Sequence, residues 1–206
     1  MREKRSTRGV LRSEVDVKSW ATRTPSVSQV RPAQCPDCGA ASAPVGGRVV
    51  VQGHGLRSRQ LRGPPAPYAA PMVTEIQSRR YRCIACRAVL AVVPAEALTR
   101  RLYSAAAIAW SLALYGLSLL APEAVRELVS PWQVVAASSA ARWRTLSRWC
   151  ASVAGGGLFT RLPPPTGATA RQVAAAGATA ISAYAAPRPE PPPLDVLAFH
   201  GAARAA

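Results

Sequence analysis

Two cysteine pairs carry the chemistry most readable in this chain. Cys35-Pro-Asp-Cys38-Gly39 and Cys83-Ile-Ala-Cys86-Arg87 share the Cys-x-x-Cys spacing, which lets a tight turn aim two thiolates at one metal ion. Four such sulfurs complete a closed tetrahedral site of the kind that holds structural zinc. Pro36 presets the first turn, and Gly39 lets the chain reverse behind its second ligand. The expectation is one structural Zn2+ held by Cys35, Cys38, Cys83 and Cys86. Disulfides are the weaker reading, because no secretory leader is seen and adjacent Cys-x-x-Cys bridges are poor staples. A redox dithiol wants one pair in a strand-to-helix setting, not two pairs. Cys150 lies far along the chain and reads as a small buried apolar group.

The segments around the pairs must position them. Residues 48–52 hold the β-branched run Val49-Val50-Val51, and Gly53-His54-Gly55 supplies turn chemistry. His54 is therefore read as a turn residue, since four cysteines already fill the site. Residues 56–62 form a second strand, placing Arg57 and Arg59 on one face, and the Gly63-Pro64-Pro65 run breaks it. A strand from Met72 to Arg82 carries Arg79 and Arg80 into the second pair, and 89–93 leaves it as far as Pro94. The expected module, 32–95, is a small antiparallel zinc-ribbon-like sheet.

Beyond Pro94 the pattern turns helical. Ser104 is a plausible N-cap for a strongly apolar helix ending near Gly116. Pro122 and Glu123 suit the start of a short second helix. A third begins at about Ser138 or Ser139 and runs through Cys150, with Trp143, Leu146 and Cys150 as its buried stripe. Its other surface gathers Arg142, Thr145, Arg148 and Trp149, flanked by Arg144 and Ser147. A basic, hydroxyl-bearing face on a short third helix is what a helix-turn-helix recognition element needs. The expected helical unit spans 99–152. The uncharged run 102–122 approaches the ~20 residues that cross a bilayer, but its serines, glycine and alanines favour a buried helix.

The two ends read differently. Residues 1–31 are basic, polar and without sustained periodicity, which predicts a disordered arm. Residues 162–206 are rich in proline and alanine and predict a disordered tail. The fold class expected is thus α+β: sheet module, three-helix helix-turn-helix-like unit, disordered termini. The net charge of +16 over 206 residues is carried almost wholly by arginine. It points to a polyanionic partner, double-stranded DNA ahead of a membrane surface, because the guanidinium fork matches phosphate and the guanine edge. A cytoplasmic setting and an optional homodimer complete the expectation.

The ordered series CPDCG, VVVQGHGLRSRQLRGPP, RRYRCIACRAVLAVVP, YSAAAIAWSLALYG, VSPW and RWRTLSRW resembles the N-terminal region of certain bacterial insertion-sequence transposases and their stand-alone relatives. The resemblance covers roughly residues 34–150. It implies a zinc-ribbon-like module ahead of a helix-turn-helix that binds the element's DNA ends. Cys35, Cys38, Cys83 and Cys86 would be the metal ligands, and Arg142, Arg144 and Arg148 would contact DNA. Apart from the resemblance, the charge of the sheet arginines Arg57, Arg59, Arg79 and Arg80 makes them expected phosphate contacts. The departure is equally plain, since such transposases continue into a core with three metal-binding carboxylates. Only Glu190 and Asp195 follow Cys150 here. The implied function is a DNA-binding remnant or regulator with no catalytic activity. Alternatives are a zinc-ribbon RNA-binding or protein-interaction module, and a membrane-anchored protein using 102–122.

Overall fold

The computed structural model describes residues 9–132, 143–159 and 167–206. The chain divides into two compact units, one of Met1–Gln60 with Glu75–Thr99, the other of Leu61–Thr74 with Arg100–Ala206. The class is mixed α and β.

A four-stranded sheet is formed by β1 (Gly9–Arg12), β2 (Val51–Gly63), β3 (Met72–Cys83) and β4 (Val89–Val93), in the order β1-β4-β3-β2. All of it belongs to the first unit except the last three residues of β2 and the first three of β3. β3 and β4 are antiparallel, with Arg79 opposite Val92 and Arg82 opposite Val89. β1 lies parallel to β4, with Gly9 opposite Leu90 and Arg12 opposite Val93, so the sheet is not purely antiparallel as expected. The stretch expected as a disordered arm is thus structured from Gly9 onward; residues 1–8 lie outside the described set. A short helix, α1 (Val17–Thr22), follows β1, capped by the Asp16 carboxylate accepting from the Ser19 amide at 2.9 Å. Its Trp20 is fully buried and donates from Nε1 to the Gln77 carbonyl of β3 at 2.9 Å. The Val27 and Pro25 carbonyls accept from the Tyr81 hydroxyl (2.7 Å) and Arg79 Nε (2.6 Å). One buried tryptophan and a few carbonyl anchors order a segment whose own sequence shows no period, because an aromatic of that size brings a large area out of water.

β2 runs unbroken through Gly53-His54-Gly55, where the sequence suggests a turn. Gly53 serves close approach instead: a Cβ there would stand 3.0 Å from a Val27 methyl. Gly55 takes φ of +85°, a conformation that costs glycine little.

In the second unit α2 (Ala105–Gly116) is central. Ser104 caps it, its hydroxyl accepting from the Ala107 amide at 3.1 Å, and every residue except Tyr115 is buried. Around it stand α3 (Pro122–Val129), α4 (Arg144–Ala154), α5 (Ala170–Ser182) and α6 (Leu194–Ala205). α2 packs most extensively on α5 and α6, which also pack on each other, while α4 lies mainly against α5. Two of these helices occupy the range expected as a disordered tail. α5 opens with a capping box, in which Gln172 accepts from the Thr169 amide at 2.9 Å and Thr169 Oγ1 accepts from the Gln172 amide. Its inner face is small: a Cβ on Gly116 would meet the Ala175 amide nitrogen at 2.3 Å, and one on Gly201 the Ile181 carbonyl at 2.1 Å. Alanine and glycine faces let the backbones come close enough to bury area without large side chains, which is why composition suggests no core there. No described helix is long and apolar enough to cross a membrane.

Candidate metal centre and basic surfaces

Both cysteine pairs sit on the same local turn. In the first, the Gly39 amide donates to the Cys35 carbonyl at 2.8 Å and the Cys35 amide to the Ala40 carbonyl at 2.9 Å. In the second, Arg87 donates to Cys83 at 2.8 Å and Cys83 to Ala88 at 3.0 Å. The residue after each second cysteine is left-handed, with φ of +73° at Gly39 and +65° at Arg87. Glycine takes this freely; Arg87 does not, so the second turn is held against a local preference. The Ile84 amide donates to the Val50 carbonyl at 2.9 Å, anchoring that turn beside the start of β2.

These turns face each other across the end of the sheet. Cys35 Sγ lies 3.7 Å from Cys86 Sγ, and Cys38 Sγ 3.8 Å from Cys83 Sγ. All four sulfurs fall within 4.8 Å of one another. Metal–sulfur bonds of about 2.3 Å in a tetrahedron require edges of about 3.8 Å, so the cluster is compatible with one structural metal ion. Cys35 and Cys83 are buried and Cys38 and Cys86 exposed, giving the centre an inner and an outer edge. Burial raises the Cys35 thiol above its usual range. At Cys83 burial acts the same way but is outweighed by the Cys86 and Ala85 amides and the neighbouring sulfurs, which bring it down to about 7. Such amide-to-sulfur hydrogen bonds favour the thiolate that a metal requires. Among the described residues, no other group of three or more histidine, cysteine, aspartate or glutamate side chains converges in this way. His54 is exposed on β2 and outside the cluster.

The arginines proposed from sequence differ in their situations. Arg57 is exposed on β2. Arg59 turns inward, its Nη2 donating to the Leu98 carbonyl, and burial lowers its pKa. Arg79 spends its Nε on Pro25, and Arg80 is half-buried. Arg59 and Arg79 are thus each anchored on a backbone carbonyl of the first unit. On α4, Arg144 and Arg148 are exposed one turn apart. Arg142 lies outside the described residues.

α4 differs from expectation in another respect. Leu146 and Cys150 are buried as anticipated, but Trp149 is buried with them, 3% exposed. Its ring meets Trp143 at 5.1 Å and Tyr103 at 5.0 Å, both edge to face. The outer face is therefore narrower: Arg144, Ser147, Arg148 and Ala151. Burial pushes the Cys150 thiol up to about 11, consistent with an inert apolar group.

Among the described residues no three carboxylates converge, although the Asp16 charge is felt at Glu96. Glu123 and Glu127 lie exposed on α3, and Glu96 accepts from the Val17 amide at 3.1 Å. Asp195, buried at the start of α6, accepts from the Tyr68 hydroxyl and from Trp110 Nε1 at 3.2 Å, so it ties α6 to α2. No protein-family model matches the chain, and no curated protein or solved structure matches it either.

Proposed function

We propose that this chain is a zinc-dependent DNA-binding protein, related to transposase N-terminal regions and acting as a remnant or regulator without catalysis of its own. The observation that carries the proposal is the exposed pair Arg144 and Arg148 at the start of α4. Two like charges one helical turn apart, at the end where the helix dipole is already positive, are unfavourable in the free protein. A polyanion laid against that end turns the penalty into attraction. Zinc is the metal best suited to the four-sulfur cluster, since thiolate tetrahedra select it or an iron–sulfur centre. Its role in this reading is to fix the two turns and the sheet end, with no part in a reaction.

Within this reading α4 is the element offered to the major groove, with Arg144 and Arg148 as base or phosphate contacts and Arg57 as a phosphate contact. The resemblance to transposases rests on the ordered motifs, and the lack of catalysis on there being only two carboxylates, Glu190 and Asp195, after Cys150. Salt titrations on a selected and a scrambled duplex test the proposal, with wild type and Arg144→Ala compared. Binding should weaken steeply with salt. The substitution should cost about 1–3 kcal/mol on the selected site and little on the scrambled one. Equal loss on both would reduce α4 to an electrostatic surface. No duplex binding at physiological salt, together with binding of single-stranded RNA, would transfer the function to RNA.

A further inference from the structure

Trp132 stands out among the tryptophans of the second unit. Trp110, Trp143 and Trp149 are buried, whereas Trp132 is 54% exposed. Its position is fixed by neighbouring polar groups. Its amide donates to Ser130 Oγ at 3.3 Å, and Ser130 Oγ in turn accepts from the Tyr103 hydroxyl at 2.9 Å. The Arg62 guanidinium lies over the indole, 5.4 Å from the ring centroid. Arg62 is itself fixed to the chain before α2, its amide donating to the Leu102 carbonyl at 2.8 Å and its carbonyl accepting from Ser104. Tyr103 also joins this cluster to α4, because its ring packs edge-on against Trp143 and Trp149. Trp143 immediately precedes Arg144.

From this arrangement we infer that Trp132, with Arg62, is a stacking platform for an unpaired nucleobase of the nucleic acid bound at α4. The inference rests on the DNA-binding reading above and adds a ligand feature to it. An exposed indole supplies a π-face that every base can use, and cations beside it attract the phosphate on the same nucleotide. Arg62 on the ring and Arg144 and Arg148 on the adjoining helix provide those cations. Duplex DNA offers no free base face at its sides, so the platform selects a frayed end, a bulge or a duplex–single-strand junction.

The test uses full-length, zinc-loaded protein and fluorescence anisotropy on three probes of one sequence. They are a blunt DNA duplex, that duplex with a short single-stranded DNA overhang, and the same duplex with an RNA overhang. Wild type should bind the overhang probes at least about fivefold more tightly than the blunt one, the scale of one stacked base. Trp132→Ala should erase that difference while leaving blunt-duplex affinity unchanged, and Trp132→Phe should keep most of it. Equal wild-type affinity for blunt and overhang probes overturns the platform and leaves duplex binding standing. So does a Trp132→Ala loss that is the same on every probe. Failure to bind any probe removes the DNA-binding reading and the platform with it. A preference for one overhang tells which sugar the platform accepts.

Discussion

Gly116→Ala separates a packed C-terminal region from a disordered one by the sign of a stability change. In an exposed helix, alanine is favoured over glycine by about 1 kcal/mol. If nothing stood against the end of α2, the substitution would therefore stabilise the protein. In this fold the new methyl would meet Ala175 at 2.3 Å from its amide nitrogen and 2.6 Å from its Cα, with the Ala174 carbonyl carbon at 2.7 Å. These are backbone atoms of α5 and cannot rotate away. Relief requires α2 and α5 to part by about 1 Å, which forfeits a quarter to a half of each dispersion contact along the seam. Overpacking of this kind costs about 1–3 kcal/mol. The upper part of that range applies, since no flexible side chain absorbs the strain, leaving a net loss of about 1–2 kcal/mol after the helix gain. Urea unfolding followed by circular dichroism reads the difference, and amide exchange in α5 should quicken with it. An unchanged or higher unfolding free energy would refute the packing of α5 on α2.

The metal centre gives a second expectation. Freshly purified, reduced protein should carry one zinc per chain by elemental analysis; Cys83→Ser should lose it, and Cys150→Ser should keep it. Stability of the first unit should rise by about 1.4 kcal/mol for each tenfold increase in free zinc, as for any ligand bound to the folded state alone. Tyr68 gives a third, in alkali. Its hydrogen bond to Asp195, followed by burial and the carboxylate charge, pushes its pKa from 10.0 up to about 12. The folded state favours the neutral phenol, so this contribution is complete below about pH 10 and is lost as pH rises towards about 12. Tyr68→Phe should be less stable at neutral pH and should lack that part of the alkaline decline, measured by urea unfolding across the window.

What the sequence made legible follows the range of the forces involved. Cys-x-x-Cys turns, the Ser104 cap and Pro122 at the start of α3 are set by residues a few positions apart, and they stand where local chemistry puts them. The order around Trp20 depends instead on β3, some 57 residues away, and leaves no periodic trace in the arm itself. α5 and α6 were hidden for a different reason. Their buried positions are largely alanine and glycine, which carry little hydrophobic signal yet bury backbone area once a matching small face is available. Gly53-His54-Gly55 misled because glycine's freedom serves close approach as well as turns. The outer face of α4 is narrower than its spacing predicts because Trp149 finds aromatic partners in Tyr103 and Trp143.

The central place of α2 has a consequence for how the protein is made. This helix leaves the ribosome about 90 residues ahead of the end of α6, the helix whose Ala198, Phe199 and Ala202 are buried in the same unit. At about 5–20 residues per second, its apolar surface waits for roughly 5–18 seconds without the partners that later enclose it. During that interval a nascent chain exposes an alanine- and leucine-rich helix with no polar face to keep it in solution. Any message cut short between α2 and α6 would yield a polypeptide that retains the complete cysteine centre yet presents the same sticky cylinder permanently, a substrate for chaperones and proteases.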